Sequence, residues 1–155
     1  MRVAVVVPTY NEADNIVAVC ERVREALPDA EIVVVDDASP DGTAALAREA
    51  GERLGGVVVV DRQAKEGLGA AYRAGFAVAI ERGAEMCIQI DADLSHDPAV
   101  LPALVAFALS LRGKDRWRFL RNPQWLLRIA ICMSLFPILM MSAAGIVEGV
   151  RRDPV

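Results

Sequence analysis

Three aspartates lie close together in the segment QIDADLSHDP, which covers residues 89–98 and begins inside an apolar run at 86–90. Asp91, Asp93 and Asp97 fall within seven residues, and like charges at this spacing repel unless a cation lies among them. Asp91 and Asp93 are two residues apart, which places both carboxylates on one face of an extended chain. Because hard oxygen ligands suit Mg²⁺ or Mn²⁺ better than Zn²⁺, the pair predicts a divalent-cation site.

The same pair of aspartates has an ordinary alternative. The chain contains 11 aspartates, so about one D-x-D pair is expected by chance, and an Asp-rich turn after a strand is common. His96 is the only histidine and could lie near a metal or simply face solvent. Mg²⁺ usually takes one or two protein carboxylates and completes its shell with phosphate and water. A metal site here therefore implies a phosphorylated ligand beside it.

The elements that would position these aspartates follow from periodicity. Short apolar runs rich in β-branched residues are typical of strands buried on both faces of a parallel sheet. Four such runs are found, at 2–7, 31–35, 57–60 and 86–90. Helical spacing of apolar residues follows each run. The four predicted helices cover 16–27, 44–54, 68–82 and 98–111.

This alternation of strands and helices predicts an α/β fold, with an open, mostly parallel sheet and helices on both faces. Ligands of such sheets bind outside the carboxyl ends of the strands. Polar or glycine-containing segments follow all four predicted strands: PTYNE, DDASPDGT, DRQAKEGLG and DADLSHD. The common location predicts one ligand site at this edge of the sheet.

Several other functions are disfavoured. The segment GLGAAYRAG is weakly similar to a dinucleotide fingerprint, but that turn should follow the first strand, where PTYNE contains no glycine. No P-loop is found. Residues 1–111 carry 18 acidic and 9 basic side chains, and residues 112–155 carry 3 and 8. No recognised nucleic-acid-binding motif accompanies the basic segment. Three separated cysteines without a C-x-x-C pair indicate a reducing compartment.

The four segments together resemble the family 2 glycosyltransferases, in particular polyprenyl- and dolichyl-phosphate mannose synthases. They are VVPTYNEADNI, VVVDDASPDGT, KEGLGAAYRAGF and QIDADLSHDP, within about residues 3–105. The resemblance implies a GT-A (Rossmann-like) fold and a nucleotide-sugar donor, GDP-mannose by this likeness. It also implies a polyprenyl or dolichyl phosphate acceptor, Mg²⁺ or Mn²⁺ as cofactor, and transfer with inversion at the anomeric carbon.

The resemblance also implies roles for individual residues. Asp91 and Asp93 would be the catalytic, metal-holding pair, with Ser95 as a further metal contact where the family often has Gln. The residues expected to bind the nucleotide sugar by this likeness are Pro8, Tyr10, Glu12, Val35, Asp37 and Ala92.

The residue types allow these roles and others. Tyr10 offers a ring and a hydroxyl to a base, or packs as a loop aromatic. Asp37 could accept from base or ribose donors, or cap the following helix. Lys65 could pair with phosphate or remain a solvated loop residue. Gly67 and Gly69 could allow close approach of the backbone to a ligand, or form a plain entry into the helix. We include Lys65 and Gly67 in the predicted binding set.

The resemblance ends near residue 111, and the family's second half, with a GSRY-like segment that contacts phosphate and acceptor, is not recognised. We therefore predict a nucleotide-sugar-binding domain over 1–111 and a basic linker with a hydrophobic helix over 112–155. Ile129–Val147 contains 19 uncharged residues, which is about 28 Å of helix and close to a bilayer core. Six basic residues precede it: Arg112, Lys114, Arg116, Arg118, Arg121 and Arg128. Trp117 and Trp125 could be interfacial anchors.

These features predict a membrane-associated chain whose body lies at the cytoplasmic face of the cell membrane, with no secretory signal recognised. Pro137 within the apolar segment leaves two alternatives, an amphipathic helix on the body or a tail without a selected fold. For function, the alternatives to an active transferase are a nucleotide-sugar-binding remnant without turnover and a membrane-anchored interaction protein. An unpaired sheet edge could be covered by pairing between copies, which would give a homo-oligomer.

Overall fold

The computed structural model describes residues 1–110. The chain divides into two units after Ala103, and the account below concerns the first; of the second, only residues 104–110 are described. The strands are β1 (Val3–Thr9), β2 (Glu31–Asp36), β3 (Val57–Asp61) and β4 (Met86–Gln89). The helices are α1 (Ile16–Ala26), α2 (Thr43–Leu54), α3 (Leu68–Glu81), a 3₁₀ turn (Pro98–Val100) and α4 (Leu101–Ser110).

The four strands form one parallel sheet in the order β3-β2-β1-β4, which confirms the predicted parallel sheet with helices. The chain moves outward from β1 to β2 and β3, and then returns to place β4 on the other side of β1. The strand order therefore reverses between β1 and β4. In open α/β sheets this reversal opens a crevice at the carboxyl ends of the two strands.

Side chains that alternate along β1 and β2 build two separate cores, because successive residues of a strand face opposite sides of a sheet. Val5, Val7, Ile32 and Val34 pack with α1 and α2 on one face. Their neighbours Ala4, Val6, Val33 and Val35 pack with α3 on the other face. Helices therefore cover both faces of the sheet, as the sequence predicted.

Helix α3 lies very close to the sheet at Gly75. A Cβ atom at this position would lie 2.4 Å from Cγ1 of Val6 and 2.8 Å from Cγ2 of Val35. Because real Cβ atoms do not approach other carbons this closely, only glycine fits without a shift of the helix or of the two valine side chains. The position of α3, and of the side chains that it carries toward β4, is therefore set by this contact.

Several predictions about the tail lie outside the described residues. They are the hydrophobic helix at Ile129–Val147, its basic and tryptophan flanks, and the division of the chain at residue 111. Within residues 1–110, no helix has the length and apolar character needed to cross a bilayer.

Candidate active site

A cavity of about 260 Å³ opens at the carboxyl end of the sheet, where β1 and β4 separate. Its volume is near the lower end of the range for small-molecule sites. All four strand–helix connections, or the strand ends beside them, contribute to it. The lining residues are Pro8, Thr9, Tyr10, Glu12, Asp37, Lys65, Leu68, Ala71, Asp91, Ala92 and Asp93.

Pro8 explains why the crevice opens where it does. The backbone of Val6 still pairs with β4, since its carbonyl accepts from Ile90 N–H at 3.1 Å, whereas Thr9 pairs with β2 through Asp37 N–H at 3.0 Å. In a parallel sheet, successive residues of a strand hydrogen-bond to opposite neighbouring strands, so the backbone of Pro8, like that of Val6, faces β4. Because β4 ends opposite Val6, the missing N–H of Pro8 breaks no ladder bond.

The loop after β1, which carries Tyr10 and Glu12, is held by side chains of the loop after β2. Three backbone N–H groups donate to three side-chain oxygens: Asn11 to Ser39 Oγ at 3.0 Å, Glu12 to Thr43 Oγ1 at 2.9 Å and Ala13 to Asp41 Oδ2 at 3.0 Å. The segment SPDGT therefore does more than begin α2. The sequence predicts only a polar segment before this helix and gives no signal of bonds between the two loops.

The two buried carboxylates at the end of β2 have different partners. Asp36 accepts from Thr9 Oγ1 at 3.0 Å and from both the backbone and the hydroxyl of Ser39, so neutral donors satisfy it. Asp37 pairs with Arg62 at 2.5 Å, and Arg62 also contacts Glu66. Asp37 lines the cavity. A hydrogen-bond donor on a bound ligand would therefore contact a carboxylate that is already paired with a cation.

Lys65 lies against Tyr10. Its Nζ is 3.7 Å from the centre of the Tyr10 ring, a cation–π contact. Both side chains line the cavity, so the structure places Lys65 at the site rather than away from it. Among the described residues, Lys65 is the only cationic side chain that lines the cavity.

Asp91 and Asp93 open onto the same cavity, with the buried Ala92 between them. Hydrogen bonds from the side chain and the backbone N–H of Ser95, together with the nearby His96, hold the pKa of Asp93 below its ordinary value. The backbone bond is 2.9 Å long. Oδ1 of Asp91 accepts from the hydroxyl of Tyr72 at 2.9 Å.

The donor set at Asp91 and Asp93 fits a hard divalent cation. Within residues 1–110, no Lys or Arg forms an ion pair with either carboxylate, so their charge is not already neutralised. The same part of the chain contains no group of three or more His, Cys, Asp or Glu side chains arranged for a metal. Two carboxylates are the number that Mg²⁺ commonly takes when phosphate and water supply the remaining ligands.

Three residues of the predicted site lie elsewhere. Val35, predicted to continue the pocket, is fully buried in the core beneath α3. Gly67 precedes α3 with φ of +94°, and its carbonyl accepts from the N–H groups of Ala70 and Ala71; it does not line the cavity. Ser95 is exposed and contacts the cavity only through its bonds to Asp93.

Within residues 1–110, three residues other than glycine adopt positive φ angles, and all three lie in loops after strands that border the cavity. They are Asn11 after β1, Ala38 after β2 and Leu94 after β4, with φ near +60°. A non-glycine residue in this conformation costs about 1 kcal/mol or more. Such backbone strain concentrates at functional sites, where the surrounding structure enforces it. Nothing in the sequence signals it at Ala38 or Leu94.

The family model described as glycosyl transferase family 2 matches residues 4–113, a range that contains every residue lining the cavity. The chain therefore belongs to this family, which confirms the resemblance. Among curated relatives, it is 45% identical over 105 residues to an undecaprenyl-phosphate mannosyltransferase of Micrococcus luteus, covering 68% of this chain and 43% of the relative. It is 48% identical over 105 residues to a polyprenol monophosphomannose synthase of Mycolicibacterium smegmatis, covering 67% and 40%.

The chain thus spans about two fifths of the length of these curated relatives. Among solved structures, it is similar to a mannosyltransferase of Pyrobaculum calidifontis in complex with GDP-Man and Mn²⁺. The TM-score is 0.51 at 33% identity, over 59% of this chain and 27% of that one. A glucosyl-3-phosphoglycerate synthase of Mycobacterium tuberculosis with Mn²⁺ and UDP gives 0.58 at 25% identity, over 73% and 40%. Both neighbours support the GT-A-like fold.

Proposed function

We propose that this chain acts in a metal-dependent glycosyltransferase that moves mannose from GDP-mannose to a polyprenyl or dolichyl phosphate with inversion. The observation that carries the proposal is the cavity at the β1–β4 crevice, which brings Tyr10, Lys65, Asp91 and Asp93 to one lining. The named activities of the curated relatives support mannose and a lipid phosphate. The GDP-Man and Mn²⁺ in the Pyrobaculum structure support the donor and the cation.

The proposed transfer needs little base catalysis from the protein. A phosphate acceptor is already ionised near pH 7, so its oxygen can attack the anomeric carbon without a strong general base. The bond to the departing diphosphate breaks on the opposite face, and the configuration inverts. A divalent cation held by Asp91 and Asp93 would supply neutralisation of charge on that diphosphate. The Asp93 carboxylate is ionised at neutral pH even at its ordinary pKa, and the bonds from Ser95 lower that pKa further.

The remaining lining residues have roles in binding the donor. The Tyr10 ring would pack against the base, and the Lys65 ammonium lies within reach of an anion in the same cavity. Asp37 would accept from base or ribose donors through the carboxylate that Arg62 orients. Glu12, Pro8 and the backbone at Ala92 would complete the contacts.

For the rest of the chain, we propose a nucleotide-sugar-binding domain over 1–111. Residues 112–155 would form a basic linker and a membrane-associated apolar helix on the cytoplasmic face. This segment would hold the chain at the membrane that contains the lipid phosphate, because basic residues beside an apolar helix favour an anionic surface. Copies of the chain could pair at an open sheet edge.

The first test is calorimetry of the full chain with GDP and UDP, each with and without Mn²⁺. We expect GDP to bind with Mn²⁺ and Asp93→Asn to weaken that binding at least ~10-fold, because it removes one carboxylate charge from the cation site. Asp29→Asn is the matched control, since Asp29 is exposed in the turn before β2, at the opposite edge of the sheet. Equal GDP binding by the Asp93 variant and the parent would contradict the metal assignment.

The second test is transfer of radiolabelled mannose from GDP-mannose to polyprenyl phosphate in detergent or vesicles. Product formation that requires Mn²⁺ or Mg²⁺ supports the full proposal. Binding of GDP with Mn²⁺ but no transfer would identify a nucleotide-sugar-binding remnant instead. No binding of either nucleotide with metal would leave the interaction protein as the remaining function.

A further inference from the structure

The hydroxyl of Tyr72 donates a hydrogen bond to Oδ1 of Asp91 at 2.9 Å. The two residues are 19 positions apart, on α3 and in the loop after β4. Tyr72 is only 6% exposed and does not line the cavity, whereas Asp91 does. A tyrosine hydroxyl is protonated at neutral pH, so the phenol can donate this bond to the carboxylate.

Tyr72 is held by its surroundings. Its ring stacks on Phe76, one helical turn later, with centroids 5.9 Å apart and planes inclined by 17°. It belongs to the core cluster that also contains Val6 and Val35, the two residues against which Gly75 fixes the helix. A donor on a buried, stacked ring in a tightly seated helix has little freedom to follow Asp91. It is Asp91 that must adapt to Tyr72.

We propose that Tyr72 is a positioning residue for the cation site: its hydroxyl fixes the carboxylate of Asp91 and directs the other oxygen toward the cavity. The inference rests on the proposed function, because it takes Asp91 as a cation ligand. Hydrogen-bonded partners that orient ligating carboxylates typically change metal affinity or activity by about 10- to 100-fold when removed. The contrasting interpretation is that the bond merely satisfies a buried phenol.

The test uses Tyr72→Phe, which removes the donor and keeps the ring. Mn²⁺ is titrated into the full chain at saturating GDP, with free Mn²⁺ followed by electron paramagnetic resonance and heat by calorimetry. We expect Mn²⁺ to bind about 10-fold more weakly, with GDP affinity in the absence of metal unchanged. Phe76→Leu is the control, because it disturbs the packing of α3 while leaving the hydroxyl in place; its Mn²⁺ affinity should stay close to that of the parent.

A double-mutant cycle separates positioning from packing. If Tyr72 acts through Asp91, Tyr72→Phe should have no further effect on Mn²⁺ affinity in an Asp91→Asn background. Parent-like Mn²⁺ affinity of Tyr72→Phe, or an equal loss in Phe76→Leu, overturns the inference and leaves the proposed function intact. Failure of the unsubstituted chain to bind Mn²⁺ with GDP overturns both.

Discussion

Replacing Thr43 by valine removes the hydroxyl that joins two of the site loops and keeps a side chain of similar size. Thr43 is fully buried at the start of α2. Its Oγ1 accepts from the backbone N–H of Glu12 at 2.9 Å and donates to Asp41 Oδ1 at 2.5 Å. Glu12 lines the cavity, so the substitution changes the support of the site without touching a residue that faces the ligand.

The expected loss of stability comes mainly from one group. The N–H of Glu12 is partly buried and would lose its partner, which costs about 1–3 kcal/mol for a donor left unsatisfied. Asp41 is at the surface, keeps its bonds from the backbone of Thr43 and Ala13, and can take water in place of the hydroxyl. We therefore expect the free energy of unfolding to fall by about 2 kcal/mol.

Urea denaturation measures this loss. With a slope of about 1–2 kcal/mol per molar, the midpoint should fall by about 1–2 M, and GDP should bind more weakly in the presence of Mn²⁺. Thr43→Ser keeps the hydroxyl and loses a methyl group worth about 1 kcal/mol, so its GDP affinity should match the parent. The reasoning is refuted if the valine variant binds GDP as the parent does, or if the serine variant weakens GDP equally.

Two further predictions concern the core. Gly75→Ala should lower the free energy of unfolding by about 2 kcal/mol in urea melts, because its Cβ would meet Val6 and Val35. Gly69→Ala is the control in the same helix: it has room for the methyl group and should stabilise the protein by up to ~1 kcal/mol. Equal effects of the two substitutions on stability would contradict the close approach at Gly75. Burial raises the pKa of the Cys20 thiol from 9.0 to about 11. The folded state then holds its proton longer than the unfolded chain, and about 2–3 kcal/mol of stability should be lost as pH rises from 9 to 11; a Cys20→Ala variant with the same pH slope as the parent would contradict it.

Much of the fold was predictable because each strand and helix follows from the residue pattern of its own segment. Buried parallel strands need β-branched residues on both faces, and the valine runs at 31–35 and 57–60 leave few other interpretations. The predicted strands and the first three predicted helices lie within one or two residues of their observed bounds. The fourth helix was predicted from residue 98, whereas a 3₁₀ turn covers Pro98–Val100 and α4 begins at Leu101. The order β3-β2-β1-β4 was not predictable in the same way, because it depends on which strands pack together and not on any one segment.

The contacts between elements at the site could not be predicted from the pattern of any one segment. Family likeness and the D-x-D spacing pointed to Asp91 and Asp93, and both line the cavity. The ion pair of Asp37 with Arg62 and the bond of Tyr72 to Asp91 join residues 25 and 19 positions apart. Neither contact has a sequence signal, because the first joins the ends of β2 and β3 and the second joins α3 to the loop after β4. Val35 was assigned to the pocket by likeness, yet its place in the strand alternation turns its side chain into the core.

The charge of the cavity explains why donor and cation should bind together. Glu12, Asp37, Asp91 and Asp93 line it, and Lys65 is the only lining cation in the described part of the chain; Arg62 offsets Asp37 from outside the lining. The formal charge is then about −2 before any ligand enters. Two unit charges 6 Å apart repel by about 3 kcal/mol at an effective dielectric constant near 20, so a diphosphate alone is opposed. A divalent cation cancels this excess, and by linkage each ligand raises the affinity for the other.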